Sequence, residues 1–374
     1  MGVRTLTNKA YKAVVSQTAQ RGSTTYVGEE RRKKGEGLHP LVDPAGFGTI
    51  RFSKSRKNAV GPYFVLSCGI AMLEETRLDT TGSMGNNVSV AMKALPKTYD
   101  LLASGPKAVL GRYDTQMITS IFGDAMDEYI LDRSQAEMDE KIAEQMTMMY
   151  PEGGGYGNGG EDPQYGLFGA AYLTNAEINK YGLKYYDFTI TDEPCREFVT
   201  LANLKRVFGD NVMDKVKENG HEMSEVFLPS TKKIIQDLQK NAHAFLLGVG
   251  LEGYTKDQWE ELYGAEYVIN IPMENSRTAK MHLLPELKAA IIGLTEGVLT
   301  LQNLENYLVE EAKLSKDDAA AIKRAVAGIP IGAQAILPNF DKIPLRGATF
   351  AIKDDLEAMT DTPSANDTES SMWL

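Results

Sequence analysis

The run Asp79-Thr80-Thr81-Gly82-Ser83-Met84-Gly85 sets one carboxylate and two hydroxyls at alternate positions. On a loop turned by glycine, Asp79, Thr81 and Ser83 can point at one spot, and such a spot suits a hard cation. Mg²⁺ prefers oxygen ligands in near-octahedral geometry, gives up water reluctantly, and is commonly held by a few short oxygen side chains with water completing the shell. Two later loops offer further oxygens. One is Gly159-Gly160-Glu161-Asp162-Pro163, ahead of a helical run at 164–172. The other is Thr191-Asp192-Glu193, directly after the β-rich run 184–190. Each has the form of a loop at the carboxyl end of a strand, where open α/β sheets place their ligand sites.

The elements that must position these loops alternate along the chain. Strands are expected at 73–78, 117–122, 184–190, 244–249 and 267–271, with a short antiparallel edge at 129–131. Val88, Met92, Leu95, Tyr99 and Leu102 recur at helical spacing after the first loop, with Pro96 as a kink and Asn86 or Asn87 as a cap. Further helices are expected at 137–149, 200–208, 230–240, 256–263 and 284–298. Strands separated by helices imply an α/β fold with a doubly wound, mainly parallel, six-stranded sheet. One stretch conflicts with it: Leu73-Glu74-Glu75-Thr76-Arg77-Leu78 is too charged for a central parallel strand, which is buried on both faces, so Glu74, Glu75 and Arg77 need partners.

In order and spacing the three loops resemble the metal-ion-dependent adhesion site of the von Willebrand factor A family, of which D-T-T-G-S-M is a recognisable variant. The resemblance spans 61–298 and implies that family's Rossmann-like sheet. It implies that Thr81 and Ser83 contact the metal, and that Asp79 and Asp192 hold it directly or through water. The middle loop adds one oxygen, usually a threonine in G-G-x-T, and that position here is Asp162. The implied ion is Mg²⁺, with Mn²⁺ or Ca²⁺ as alternatives; oxygen-only ligands disfavour zinc. The family's mode of action implies a protein partner whose Asp or Glu completes the metal shell. With Asp162 added to Asp79 and Asp192, the ion is more fully neutralised and should pull less on that incoming acid. Intracellular members of bacteria and bacteriophages recurrently work beside a MoxR-type AAA+ ATPase, which makes such an ATPase a partner to expect.

The rest of the chain frames this domain. The protein has 374 residues and a net charge of −11, and its first 57 residues carry twelve Lys or Arg against four Asp or Glu. A basic arm over 1–60, with Arg31-Arg32-Lys33-Lys34, therefore precedes an acidic remainder. It could contact nucleic acid, or pack on its own domain; four basics with little aromatic interleaving are a weak nucleic-acid signal. A helical hairpin and surface segment are expected over 299–353, and a disordered acidic tail over 354–374. No membrane span or signal peptide is legible, and Cys68 and Cys195 sit in no C-x-x-C, which together favour a reducing cytoplasm. The glycines at 153–160 lack the lysine and spacing of a phosphate loop. His39, His221, His243 and His282 stand in unrelated contexts and no G-x-S-x-G occurs, so no catalytic constellation supports an enzyme. Nucleic-acid association through the arm, or a structural place in a larger particle, are the alternatives to a metal-dependent interaction module.

Overall fold

The computed structural model describes residues 27–46, 50–51, 57–60, 63–66, 69–104, 107–138, 141–154, 160–276, 278–345 and 349–351. The tail over 354–374, most of the arm before residue 27, and Cys68 lie outside them. Eleven strands occur among the described residues: β1 (Ile50–Arg51), β2 (Lys57–Val60), β3 (Tyr63–Leu66), β4 (Ala71–Asp79), β5 (Asp114–Phe122), β6 (Leu131–Arg133), β7 (Thr174–Asn175), β8 (Tyr185–Thr191), β9 (Ala242–Gly248), β10 (Val268–Asn270) and β11 (Thr349–Ala351). Six of them form one sheet in the order β10-β9-β8-β4-β5-β6, parallel except for β6, which runs antiparallel to β5 at the edge. Outside it, β1 pairs in parallel with β7, while β2, β3 and β11 form an antiparallel sheet. That second sheet joins segments distant in sequence, and the sequence reading did not foresee it.

Crossovers leave β4 toward β5 on one side, and β8 pairs with β4 on the other, so β4 and β8 flank the point where strand order reverses. The sheet is the doubly wound, Rossmann-like arrangement, and the crevice beyond the carboxyl ends of β4 and β8 is its natural ligand position. The helix after β4 runs as Asn86–Ala94, a 3₁₀ turn at Leu95–Lys97, then Thr98–Ala103, so the break falls at Pro96 as expected. Its cap differs from the expectation. Gly85, at φ +50°, precedes the helix, and the Asn87 side chain instead accepts from the Ala279 amide at 3.2 Å. Helices Leu284–Thr295 and Thr98–Ala103 cover one face of the sheet; Pro163–Tyr172, Thr231–Asn241 and Gly253–Tyr263 cover the other. None of the described helices is long and apolar enough to cross a membrane.

Every residue of β4 is buried, and the charges in it find partners on both faces. Glu74 and Thr76 point one way, where Lys288 of helix Leu284–Thr295 reaches Glu74 Oε1 at 2.8 Å and Thr76 Oγ1 at 2.6 Å. Glu75 and Arg77 point the other way. The Arg133 guanidinium grips Glu75 through Nε at 2.9 Å and Nη2 at 2.7 Å, Arg77 Nη1 lies 3.0 Å from Glu75, and Arg77 Nη2 pairs with Asp187 of β8. Each face thus closes its own charge balance, one acid to one base and two acids to two bases. Gly166 makes the second face possible, because a Cβ there would stand 2.5 Å from Arg77 Cδ.

Removing one member of a fully buried pair leaves its partner charged in a low-dielectric interior, which costs about 3–5 kcal/mol. Lys288→Met is therefore expected to lower stability by that amount in urea unfolding, and Glu74→Gln in the same chain to recover most of it. A single variant within ~1 kcal/mol of the parent would show that Glu74 does not depend on Lys288. His243 gives a second test. It is stacked on Tyr186 and bonded to Gln334 at 2.9 Å, and burial lowers its pKa from 6.5 to about 4. The fold disfavours its protonation, so stability falls as pH drops below the unfolded value and the loss is complete below the folded one, reaching at most about 3 kcal/mol. His243→Gln should show a shallower loss than the parent between pH 6.5 and pH 4; parallel curves would remove His243 from the acid response.

Candidate metal centre

Asp79 is the last residue of β4, and its two oxygens are shared between the loops on either side of the switch point. Oδ1 accepts from the Thr81 amide at 2.9 Å and the Thr81 hydroxyl at 2.7 Å, while Oδ2 accepts from the Thr191 hydroxyl at 2.6 Å. The Thr81 and Ser83 hydroxyls lie 3.1 Å apart, and Ser83 Oγ donates to Asp192 Oδ1 at 2.9 Å. Asp79, Thr81, Ser83 and Asp192 therefore converge as one chain of oxygens. The register that pairs Leu78 with Ile190 brings the ends of β4 and β8 level, and so sets the two aspartate loops side by side.

The middle loop presents two acids and turns them in different directions. Both oxygens of Asp162 are taken: Oδ2 accepts from the Ala125 amide at 2.6 Å and from Arg196 Nε at 3.2 Å, and Oδ1 from the Gln164 side chain at 2.5 Å. Arg196 also reaches Asp124 at 2.8 Å and the Gly160 carbonyl at 2.9 Å, so one guanidinium ties together three loops. The structure does not bring Asp162 into the chain of oxygens around Asp79. Its neighbour Glu161 faces that way instead: it is 7% exposed, interacts with the Thr81 side chain, and its Oε2 has no hydrogen-bond partner among the described residues. Sequence reasoning passed over Glu161 because the family spacing pointed one residue further on.

Electrostatics describe a pocket short of positive charge. Burial raises Asp79 to about 7, against the hydrogen bonds from Thr191 and Thr81, with the Asp192 charge adding to the rise. Burial pushes Glu161 up to about 8, helped by the charges of Asp79 and Asp124. Asp192 is also raised by burial, against its bond from Ser83. Buried carboxylates so placed gain from a cation, which inverts the local pKa logic. The oxygen-only donor set and the unpartnered Glu161 oxygen fit a hard divalent ion. Among the described residues no three His, Cys, Asp or Glu side chains form a metal-holding group by themselves, so the hydroxyls of Thr81 and Ser83 are integral to any such set.

The arm helix Val27–Lys33 supports the same region. Arg32 bonds Glu128 and Glu152, each at 2.8 Å, and its guanidinium lies 4.7 Å from the centre of the Tyr150 ring. Beyond Glu152, the Gly153 amide donates to the Thr80 carbonyl at 3.2 Å and the Gly82 amide to the Gly154 carbonyl at 2.5 Å. Arg31 pairs with Glu36 and Lys33 with Glu29, so three of the four consecutive basics are engaged by acids of the same chain.

Arg196 is the brace that this geometry makes testable. Arg196→Ala would leave the buried carboxylates of Asp124 and Asp162 without their cation, at about 1–3 kcal/mol given that the guanidinium is partly exposed. Arg196→Lys should recover little of this, because one ammonium cannot span both carboxylates and the Gly160 carbonyl. Thermal melting of the two variants checks it; full recovery by lysine would reduce the brace to simple charge.

No protein-family model and no curated protein sequence matches this chain. Among solved structures, the chain is similar to proximal thread matrix protein 1 from the mussel byssus at 13% identity and a TM-score of 0.37, over 60% of this chain and 48% of that one. A second structure of that protein is described as having a zinc-occupied MIDAS motif, and matches at 13% identity and a TM-score of 0.35 over the same shares. The pilus adhesin SpaC from Lactobacillus rhamnosus GG matches at 12% identity and a TM-score of 0.36, over 64% of this chain and 34% of that one. The chain thus spans about half the length of the byssus protein and a third of the adhesin.

Proposed function

We propose that this chain is a metal-dependent protein-interaction module of von Willebrand factor A type, with a Mg²⁺-class ion at its recognition face. The observation that carries the reading is the convergence of Asp79, Thr81, Ser83 and Asp192 at the topological switch point, through contacts of 2.7–3.1 Å. A metal there would supply a Lewis-acidic position for a partner's oxygen. The protein would supply the rest: Asp79 and Asp192 anchor the ion, Thr81 and Ser83 offer neutral oxygens, and the Thr191 hydroxyl orients Asp79. We assign the chain no catalytic step.

The partner in this reading is a protein that presents an Asp or Glu, and a MoxR-type AAA+ ATPase in a bacterial or bacteriophage setting is the first to test, in the cytoplasm. Mn²⁺ or Ca²⁺ would serve the same oxygens. Nucleic-acid binding ranks lower, since Arg31, Arg32 and Lys33 are already paired with acids of this chain.

Metal linkage provides the test. At a hundredfold excess over its dissociation constant, an ion that binds only the folded state adds about 2.7 kcal/mol. Mg²⁺ or Mn²⁺ is therefore expected to raise the melting temperature and EDTA to reverse it, while Asp79→Ala stays folded and loses the metal response. A variant that still melts higher with metal would place the ion elsewhere. For the partner, capture from host lysate should disappear with EDTA.

A further inference from the structure

The middle loop of the candidate site carries two adjacent acids, and the structure gives them different work. Asp162 stands at the G-G-x-T position that the family resemblance leads one to expect beside the ion, yet its oxygens are spent on the Ala125 amide, Gln164 and Arg196. The backbone dictates the exchange. Asp162 sits at φ −116°, ψ 48° immediately before helix Pro163–Tyr172, where its side chain turns toward the loop around Ala125 and makes no capping bond of its own. Glu161 is held from the opposite edge: its amide donates to the Pro194 carbonyl at 3.0 Å and its carbonyl accepts from the Arg196 amide at 3.4 Å. Glu161 is thereby fixed between the Asp192 loop and Thr81, buried, with Oε2 unbonded.

We propose that Glu161, and not Asp162, is the middle-loop carboxylate that ligates the ion, and that Asp162 and Arg196 are positioning residues that hold it there. The inference rests on the metal reading above and changes its chemistry. Where a threonine would leave the ion's two charges balanced by Asp79 and Asp192, Glu161 adds a third carboxylate and puts the site one negative charge in excess. A partner's acid then meets an ion already carrying excess negative charge, so the site retains metal firmly and favours a partner carboxylate that takes the place of Glu161.

Tb³⁺ alone, with the full chain, separates the two acids, because the luminescence lifetime in H₂O and D₂O counts the waters on the ion. Glu161→Gln is expected to weaken Tb³⁺ binding by about tenfold or more and to add at least one bound water. Asp162→Asn is expected to leave the water count unchanged while lowering the melting temperature without metal, since Arg196 loses a partner. A gain of water in Asp162→Asn and none in Glu161→Gln would overturn the assignment. Asp79→Asn tells the two readings apart. If it abolishes binding while Glu161→Gln matches the parent in affinity and hydration, this inference fails alone. If it binds Tb³⁺ as the parent does, the metal site itself lies elsewhere and both fail.

Discussion

The structure depends on a strand that must be buried while carrying three charges ahead of its terminal Asp79. β4 lies between β5 and β8 with Glu74, Glu75 and Arg77 at 0% exposure, and each charge is met by a residue far away in sequence: Lys288, Arg133 and Asp187. Such pairs contribute little net stability against apolar residues of the same size, because desolvation offsets most of the attraction. Their effect is on register. Side chains alternate across a strand, so a slip of one residue would carry Glu75 and Arg77 to the Lys288 face and Glu74 to the face of Arg133 and Asp187, leaving charge unbalanced on both. The ionic pattern excludes every slip that would exchange the two faces of β4, and the observed register pairs Leu78 with Ile190. That register places Asp79 beside Thr191.

The candidate site inherits its geometry from this constraint. Asp79 and Asp192 come from the ends of two neighbouring parallel strands, levelled by the Leu78–Ile190 pairing and joined by the Thr191–Asp79 and Ser83–Asp192 hydrogen bonds. The middle loop is held separately, by Arg196 across to Asp124 and Asp162 and by the Glu161–Pro194 backbone bond. The first loop also has a support of its own, the bonds of Gly153 and Gly154 to Thr80 and Gly82, next to Glu152 and its Arg32 partner. Of the arm's described basics, Arg32 pairs with Glu128 and Glu152 of the domain, while Arg31 and Lys33 pair with Glu36 and Glu29 of the arm itself.

Much of this was legible in the sequence because it is local. The six sheet strands and the break at Pro96 follow from spacing over a few residues, whereas the meeting of Ser83 with Asp192, 109 residues apart, was legible only through the family resemblance. The charged strand was legible as a conflict but not as a solution, since nothing near Glu75 or Arg77 in sequence announces Arg133 or Asp187. The pairing of β3 with β11 and the helix Val212–Glu218 were missed for the same reason: the first is a long-range pairing, and the second is a short helix defined by tertiary packing. Which of Glu161 and Asp162 faces the site was beyond sequence reasoning, because it turns on one backbone angle pair and on an arginine 34 residues downstream.

Charge balance links the strand to the site. In the middle of β4 each buried acid has a base within hydrogen-bonding distance, and the charges that meet on each face of the strand balance there. At the strand end the rule lapses: Asp79, Asp192 and Glu161 are met by hydroxyls and amides but, among the described residues, by no Lys or Arg, and Arg196 is committed to Asp124 and Asp162. A fold that pairs the charges in the middle of β4 and then ends that strand on Asp79, beside the acids Asp192 and Glu161, concentrates acidity at its ligand crevice. A divalent cation has the charge, and the preference for oxygen, to fill it.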